Sequence, residues 1–426
     1  MTAPGTADGH RRVVDVVCST GRTGFFTDDQ AAVRAGARHD GFDYVGPPRT
    51  PGFRRVRQPG EALSVLLVLD DGQVAHGDCA AVQYSGAGGR DPVFAARDAL
   101  DVVQEHVAPL LLGRSLDRFR PLAADLDGVR VEGAPLHTAV RYGVSQALLD
   151  GVARSRRRTM AEVVREEWQT GVPLAPVPMF VQSGDDRYDN VDKMVLKRAD
   201  VLPHGLVNHV GSKLGADGGL LLDYVGWVRD RVLALRDRPD YVPVLHLDVY
   251  GTVGDALGPD PRAVAGYLAA LGDRAAPFLL RVEQPVDAGS TPAQVEAMAG
   301  VRSALRAVGS PVQVVVDEWC NTLADVELFV AAGAADMVHV KAPDLGGVQD
   351  TVEALLRVRQ GGLLAYCGGT CNETDRSAQV SAHLAMACGA AQVLAKPGMG
   401  VDEALMVVGN EMARTVALVA ARERRC

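Results

Sequence analysis

From Pro173 onward the chain alternates short, mainly apolar runs with longer stretches whose apolar residues recur at helical spacing. APVPMFVQS, VLHLDVY, FLLRVEQP, VQVVVDEW and MVHVKAP are of the first kind; LLDYVGWVRDRVLALR and DVELFVAAG are of the second. Near-continuous Val, Ile and Leu is what strands buried on both faces require. Strands alternating with helices are the signature of βα units in a parallel sheet. The pattern predicts an α/β fold, a (β/α)8 TIM-type barrel over residues 171–426, with APVPMFVQS as its first strand.

The chain before Pro173 has a different rhythm. Between Val13 and about Gln83, VVDVVCS and LSVLLVLDDGQVAHG read as strands, and the DDG inside the second marks a turn, so an antiparallel meander or hairpins are expected. AARDALDVVQEHVAPLLL and TAVRYGVSQALLDGVARS then carry helical spacing. Residues 13–170 are expected to form an α+β domain. Residues 1–12 are small, polar and rich in Gly and Pro, which predicts a disordered tail without a role in the fold. A length of 426 residues with 47% hydrophobic content accommodates both domains, since a barrel takes roughly 250 residues.

Four of the strand-like runs close on a residue that a buried strand should not carry. Asp248, Glu283, Asp317 and Lys341 lie at or near the ends of their runs, 35, 34 and 24 residues apart, each step about one strand plus one helix. Each acid alone could be a helix cap or a surface charge. Their shared position is what argues for chemistry, because barrel strands deliver their last residues to one rim, where active sites of this fold are built. Three carboxylates gathered there would repel one another, and a hard divalent ion such as Mg²⁺ resolves the conflict. A lysine beside such an ion suits proton abstraction next to a carboxylate, provided nearby positive charge lowers its pKa.

Composition narrows the partners. A net charge of −9 argues against nucleic acid, whose phosphates call for a basic face. The basic knot from Arg154 to Arg158 is expected to be a solvated helix end. No uninterrupted apolar stretch reaches the ~18 residues of a membrane helix and no signal-peptide pattern opens the chain, so a cytoplasmic location without a membrane partner is expected. Seven cysteines, odd in number and without a CxxC pair, point to reduced thiols.

Longer strings carry a resemblance. QSGDDRYDNVDKMVLKRADVLPH, DEWCNT, KAPDLGGV, YCGGTCNETDRSAQVSAHLAMACGA and QVLAKPGMGVDEALM together strongly resemble the methylaspartate ammonia-lyase family of the enolase superfamily. The resemblance implies an enolase-like architecture in which residues 13–170 cap the barrel, and an Mg²⁺-dependent enzyme acting on a small amino dicarboxylate. It implies Asp248, Glu283 and Asp317 as metal ligands and Lys341 as the base that takes the C3 proton of L-threo-3-methylaspartate. His204 falls at the second acid/base position on the opposite face of the substrate, and Gln182, Thr370 and Cys371 at positions that grip its carboxylates and amine. Gln83, in AVQYSGAGGRDP, falls on a loop that reaches over the barrel mouth; GAGG lacks the Lys-Ser/Thr and the strand-to-helix setting of a phosphate cradle. A homodimer is implied, and a monovalent cation such as K⁺ is left open.

One position departs from that pattern. Two residues before Lys341, where the family has a substrate-binding glutamine, this chain has His339. Residues i and i+2 of a strand share a face, so His339 is expected to point into the same cavity as Lys341 and to touch substrate. The leading expectation is loss of ammonia from a 3-substituted aspartate to give mesaconate or an analogue. Racemisation or epimerisation, or dehydration of a hydroxy acid, would use the same fold and metal.

Overall fold

The computed structural model describes residues 10–424. The first sheet has three strands, β1 (Val13–Asp28), β2 (Arg57–Leu69) and β3 (Val74–Cys79), paired antiparallel in the order β1-β2-β3, with a short hairpin, Arg38–Asp40 and Asp43–Val45, between the first two. Leu63, Val65, Leu67 and Leu69 of β2 are fully buried at every second position, so one face of this meander is core. The DDG turn joins β2 to β3: Asp71 accepts from the Gln73 amide at 3.0 Å, and Gly72 adopts φ +81°, which suits glycine.

The buried face packs on helix α1 (Thr138–Ser155), the second of the two helical patterns seen in the sequence. Two glycines make that approach possible. A Cβ on Gly77 would fall 2.2 Å from the Gly143 carbonyl oxygen, and one on Gly143 would fall 2.3 Å from the Cys79 nitrogen.

Eight parallel strands then follow: β4 (Met179–Val181), β5 (Val201–His204), β6 (Val244–Asp248), β7 (Leu280–Glu283), β8 (Gln313–Val316), β9 (Met337–Val340), β10 (Leu364–Cys367) and β11 (Gln392–Ala395). Each pairs with the next, and β11 pairs with β4, so the barrel closes in chain order. Helices cross between successive strands on the outside, among them Gly219–Leu235 and Leu323–Ala332, the two read from the sequence. The barrel with its α+β cap is the fold the hydrophobic pattern and the resemblance led us to expect.

The barrel is filled, as this architecture requires. Phe180, Val201, Val315, Met337, Tyr366 and Leu394 form an apolar cluster within it. Two histidines stack on this plug: His246 on Phe180 and His339 on Tyr366, each with ring centroids 4.2 Å apart. The floor under the barrel mouth is therefore rigid and aromatic.

Two expectations need amendment. The tail was expected to run through Arg12, and Met1–Gly9 lie outside the described residues. Arg11 and Arg12 are part of the fold, however: the Arg11 amide donates to Ser155 Oγ at 2.9 Å, its carbonyl accepts from Leu116 at 2.8 Å, and the Arg12 carbonyl accepts from Asp70 at 3.0 Å. The basic knot is less solvated than expected, because Arg154 pairs with Asp150 at 2.9 Å, Arg156 with Glu167 at 3.3 Å and Arg158 with Glu162 at 3.7 Å. One helix, Val401–Glu423, is long and apolar enough by composition to cross a membrane, with mean hydropathy 1.4 over its most apolar window, though Glu411 and Arg414 interrupt its apolar run. It follows the last barrel strand and packs on Asp375–Cys388 and on strands β4 and β11, which accounts for its apolar face.

Candidate active site

Strand order divides the barrel mouth into two halves. Asp248 ends β6, Glu283 ends β7, and Asp317 follows β8 directly. His204 ends β5, and Lys341 follows β9. In an eight-stranded ring β5 and β9 are diametrically opposed, so these two residues face each other across the mouth with the three acids on the strands between them. The other half carries Gln182 after β4 and Thr370 and Cys371 after β10. One cavity is lined by Gln182, His204, Asp248, Asp317, His339, Lys341, Thr370 and Cys371, together with Gln83 from the cap. Glu283 lies beneath it, 1% exposed.

The acids are crowded and buried. Asp248 and Glu283 are register partners on neighbouring strands, and all three carboxylates are within 4% of complete burial. Burial, then Glu283 and Asp317, raise the Asp248 pKa well above the carboxylate range. Asp317 is raised as well: burial outweighs the opposing charges of Lys341 and His339. Glu283 moves the other way, because His339 and His246 overcome its burial.

Hydrogen bonds assign those two rings. Gln392 Nε2 lies 3.0 Å from His246 Nδ1 while Arg281 holds the Gln392 oxygen at 2.6 Å, so the His246 proton sits on Nε2, 2.9 Å from Glu283 Oε2. The Gly369 amide donates to His339 Nε2 at 3.1 Å, leaving the proton on Nδ1, 2.7 Å from Glu283 Oε1 and 3.3 Å from Asp317 Oδ1.

Oxygen donors under mutual repulsion fit a hard divalent cation. Asp317 Oδ1 is buried and receives no hydrogen bond of good geometry, although Lys341 Nζ stands 2.8 Å and His339 Nδ1 3.3 Å from it, so it keeps lone-pair capacity for a cation. The tightest group of ligand-type side chains among the described residues is Glu283, Asp317 and His339, whose donor atoms lie within 4.8 Å of one another. Asp248 stands slightly apart, with Oδ2 3.6 Å from His204 Nε2 and Oδ1 accepting from the Tyr250 amide at 3.1 Å.

The two opposed groups differ in charge. Lys341 Nζ is 2.8 Å from each Asp317 oxygen. Burial disfavours its ammonium, yet Asp317 and Glu318 outweigh burial and hold its pKa above the ordinary lysine value. The expected lowering depends on a cation beside the lysine: with protein groups alone the neighbouring carboxylates prevail, and Arg90 provides the opposing positive charge. His204 is neutral, its pKa lowered to about 3 by burial. Its Nδ1 accepts from the Leu206 amide at 3.3 Å, so Nε2 carries the proton into the cavity.

Both halves of the chain match models of one family, described as the N-terminus and the C-terminus of methylaspartate ammonia-lyase, over residues 11–169 and 171–421. The methylaspartate ammonia-lyase of Clostridium tetanomorphum is 55% identical over 412 residues, 97% of this chain and all of that protein. The chain belongs to the methylaspartate ammonia-lyase family. The magnesium complex of the Clostridium tetanomorphum β-methylaspartase superposes with a TM-score of 0.93, covering 96% of this chain and 100% of that one. The Citrobacter amalonaticus methylaspartate ammonia-lyase containing (2S,3S)-3-methylaspartic acid is 50% identical, with a TM-score of 0.94 over 96% of this chain and 100% of that one.

Several residues of this family member escaped the sequence. His246 lies two positions before Asp248, and the i, i+2 rule that singled out His339 before Lys341 would have found it. Arg90 ends the Gly-rich loop of the cap and reaches Asp344 at 2.8 Å and Glu318 at 2.7 Å, while Asn321 holds the Gly88 carbonyl at 2.6 Å. These contacts clamp the loop over the mouth. Lys396 and Glu373 form an ion pair at 2.6 Å with no exposure at either side chain. Glu373 also accepts from the Thr370 amide at 2.9 Å and from the Tyr142 hydroxyl of α1 at 2.8 Å, which fixes the loop carrying Thr370 and Cys371. Cys371 is a thiol rather than a nucleophilic thiolate, its pKa pushed up to about 12 by burial.

Proposed function

We propose that this protein is a magnesium-dependent carbon–nitrogen lyase that abstracts the C3 proton of L-threo-3-methylaspartate, or a related 3-substituted aspartate, and eliminates ammonia to give mesaconate or an analogue, reversibly. The observation that carries this is the placement of Lys341 and His204 at opposed strand ends, with three buried carboxylates between them, in a chain matched end to end by the family.

In this proposal Asp248, Glu283 and Asp317 hold Mg²⁺, which when bound supplies the positive charge that offsets a substrate carboxylate as the adjacent carbon loses its proton. Lys341 takes that proton from C3. To do so it must first give up the proton it shares with Asp317, and the Arg90 guanidinium favours that loss. His204 stands on the other face of the substrate, where it would take the C3 proton of the epimer at Nε2 in the tautomer that carries its own proton on Nδ1, giving up the 3.3 Å contact with the Leu206 amide. Gln182, Thr370 and Cys371 bind the substrate, with the Thr370–Cys371 loop held still by the Glu373–Lys396 pair, while His339 lines the same cavity with its ring nitrogens taken by Glu283 and Gly369. The clamped cap loop excludes water and so strengthens every charge–charge contact inside.

The same reading divides the chain into a cap, residues 13–170, and a catalytic barrel, residues 171–426. The resemblance supports a homodimer. The unpaired state of all six cysteines among the described residues supports a cytoplasmic location.

Incubation with Mg²⁺ and a panel of 3-substituted aspartates tests the proposal. Ammonia release matched by alkene absorbance is expected. Deuterium exchange at C3 without loss of amine would assign the protein to racemisation instead.

A further inference from the structure

Gln83 is the one cap residue whose side-chain amide lines the cavity, and its two ends have different surroundings. Nε2 lies 2.8 Å from Asp28 Oδ2. A carboxylate only accepts hydrogen bonds, so the NH₂ end must face Asp28 and the carbonyl end must face the cavity. There Oε1 accepts from Cys371 Sγ at 3.5 Å. Backbone pairing reinforces the arrangement, since the Asp28 amide donates to the Gln83 carbonyl at 2.9 Å.

Asp28 is itself held in one orientation. Arg57 Nε donates to its Oδ1 at 2.8 Å and Arg57 Nη2 to its Oδ2 at 2.7 Å, with both side chains buried. This is the forked, two-point geometry that makes arginine–carboxylate pairs directional. The guanidinium is fixed in turn: Nη1 donates to the Phe42 carbonyl at 2.6 Å, and the Phe42 and Tyr44 rings lie 4.6 and 4.7 Å from its centre. An aromatic cage thus orients Arg57, Arg57 orients Asp28, and Asp28 orients Gln83.

The consequence for recognition follows from donor and acceptor types. A carbonyl oxygen repels a substrate carboxylate and accepts from an N–H. The amine is the only N–H donor that an aspartate derivative brings. We propose that Asp28, fixed by Arg57, is a positioning residue that sets the polarity of the Gln83 amide and so makes this wall of the cavity selective for the amine of the substrate and for ammonia in the reverse direction. This inference rests on the ammonia-lyase reading above. Asp28 touches no substrate and acts only through Gln83.

The test is ammonia addition to mesaconate by the full-length, Mg²⁺-loaded protein. In Asp28→Asn the neighbouring group can both donate and accept, the Gln83 amide loses its fixed polarity, and KM for ammonia is expected to rise about tenfold, as loss of a directed hydrogen bond to a charged group allows. KM for mesaconate should stay within about twofold of the parent value, a split that a merely structural defect would not produce. In a Gln83→Ala background Asp28→Asn should add nothing further. Arg57→Lys, which keeps the charge but removes the fork, should show the same split in smaller measure and serves if Asp28→Asn does not fold. Gln83→Ala alone must raise KM for ammonia.

Equal rises in both KM values, an undiminished Asp28→Asn effect in the Gln83→Ala background, or an unchanged KM for ammonia in Gln83→Ala would each overturn the inference. A parent protein that adds no ammonia at all would instead overturn the functional reading on which it rests.

Discussion

His339 points its Nδ1 at Glu283 Oε1, 2.7 Å away, and not at open cavity. The Gly369 amide occupies the other ring nitrogen at 3.1 Å, so both polar atoms of this imidazole are already engaged within the protein. A glutamine at the same place, the residue implied by the family pattern, would have a free NH₂ end to offer a substrate carboxylate. A hydrogen bond to a charged group is worth on the order of 1–3 kcal/mol, roughly 5- to 150-fold in transition-state binding. His339→Gln is therefore expected to raise kcat/KM for 3-methylaspartate within that range. Steady-state kinetics on the purified variant decide it, and an unchanged or lower value would count against a specificity role for His339.

The repulsion among Asp248, Glu283 and Asp317 makes magnesium a stabilising ligand of the folded state. Burial and the neighbouring acids raise the Asp248 pKa, so the metal-free protein carries an electrostatic cost that a bound cation removes. At 100 times its Kd, a ligand bound only by the folded state adds about 2.7 kcal/mol. Thermal melts should show Tm rising with Mg²⁺ and falling with a chelator. Asp248→Asn should melt higher than the parent in chelator and respond little to Mg²⁺. A metal-independent Tm in the parent would remove these acids from metal binding.

Opposed placement of Lys341 and His204 predicts opposed stereochemistry. Lys341→Gln should lower C3 proton exchange in L-threo-3-methylaspartate by about 10²- to 10⁴-fold, the usual contribution of a general base. His204→Asn should spare that exchange relative to exchange in the C3 epimer. Proton NMR in deuterium oxide reads both rates from one sample. Equal losses on the two epimers for either variant would contradict a two-faced site.

The barrel and the residues at its rim were legible because both obey local rules. A buried parallel strand announces itself by a run of Val and Leu, and a charge at its end is conspicuous against that run: Asp248 after VLHL and Lys341 after MVHV are the plainest cases. What escaped depends on contacts between distant segments. Lys396, in VLAKPG, looks like any strand-end lysine, and only the fold reveals that Glu373 neutralises it at zero exposure. Arg90 and Glu318 are 228 positions apart and meet only because the cap closes over the barrel. Arg12 was assigned to a tail because its composition is that of one; its carbonyl is captured by Asp70 across the β2–β3 turn. His246 differs from these, since strand periodicity alone places it beneath Asp248.

Where the cap meets the barrel, one acid should make stability depend on pH in an unusual direction. Arg141 of α1 lies 3.6 Å from Asp127 and 3.5 Å from Asp350, so two carboxylates share one guanidinium. Burial and then Asp127 push the Asp350 pKa up to about 6, against the partial relief that Arg141 provides. An unfolded chain releases that proton near pH 3.9. Between those values the folded protein holds a proton that the unfolded chain has lost, so stability falls as pH rises through the window, and the penalty is complete above about pH 6. Asp350→Asn removes the penalty and leaves Arg141 with Asp127. The variant should be more stable than the parent at pH 8, by on the order of 1 kcal/mol after solvent screening. Its advantage should shrink as pH falls through 6 toward 4. Denaturant melts of both proteins at pH 8, 6 and 4.5 measure this; an advantage that grows on acidification would show that Asp350 stabilises the joint as an ion-pair partner.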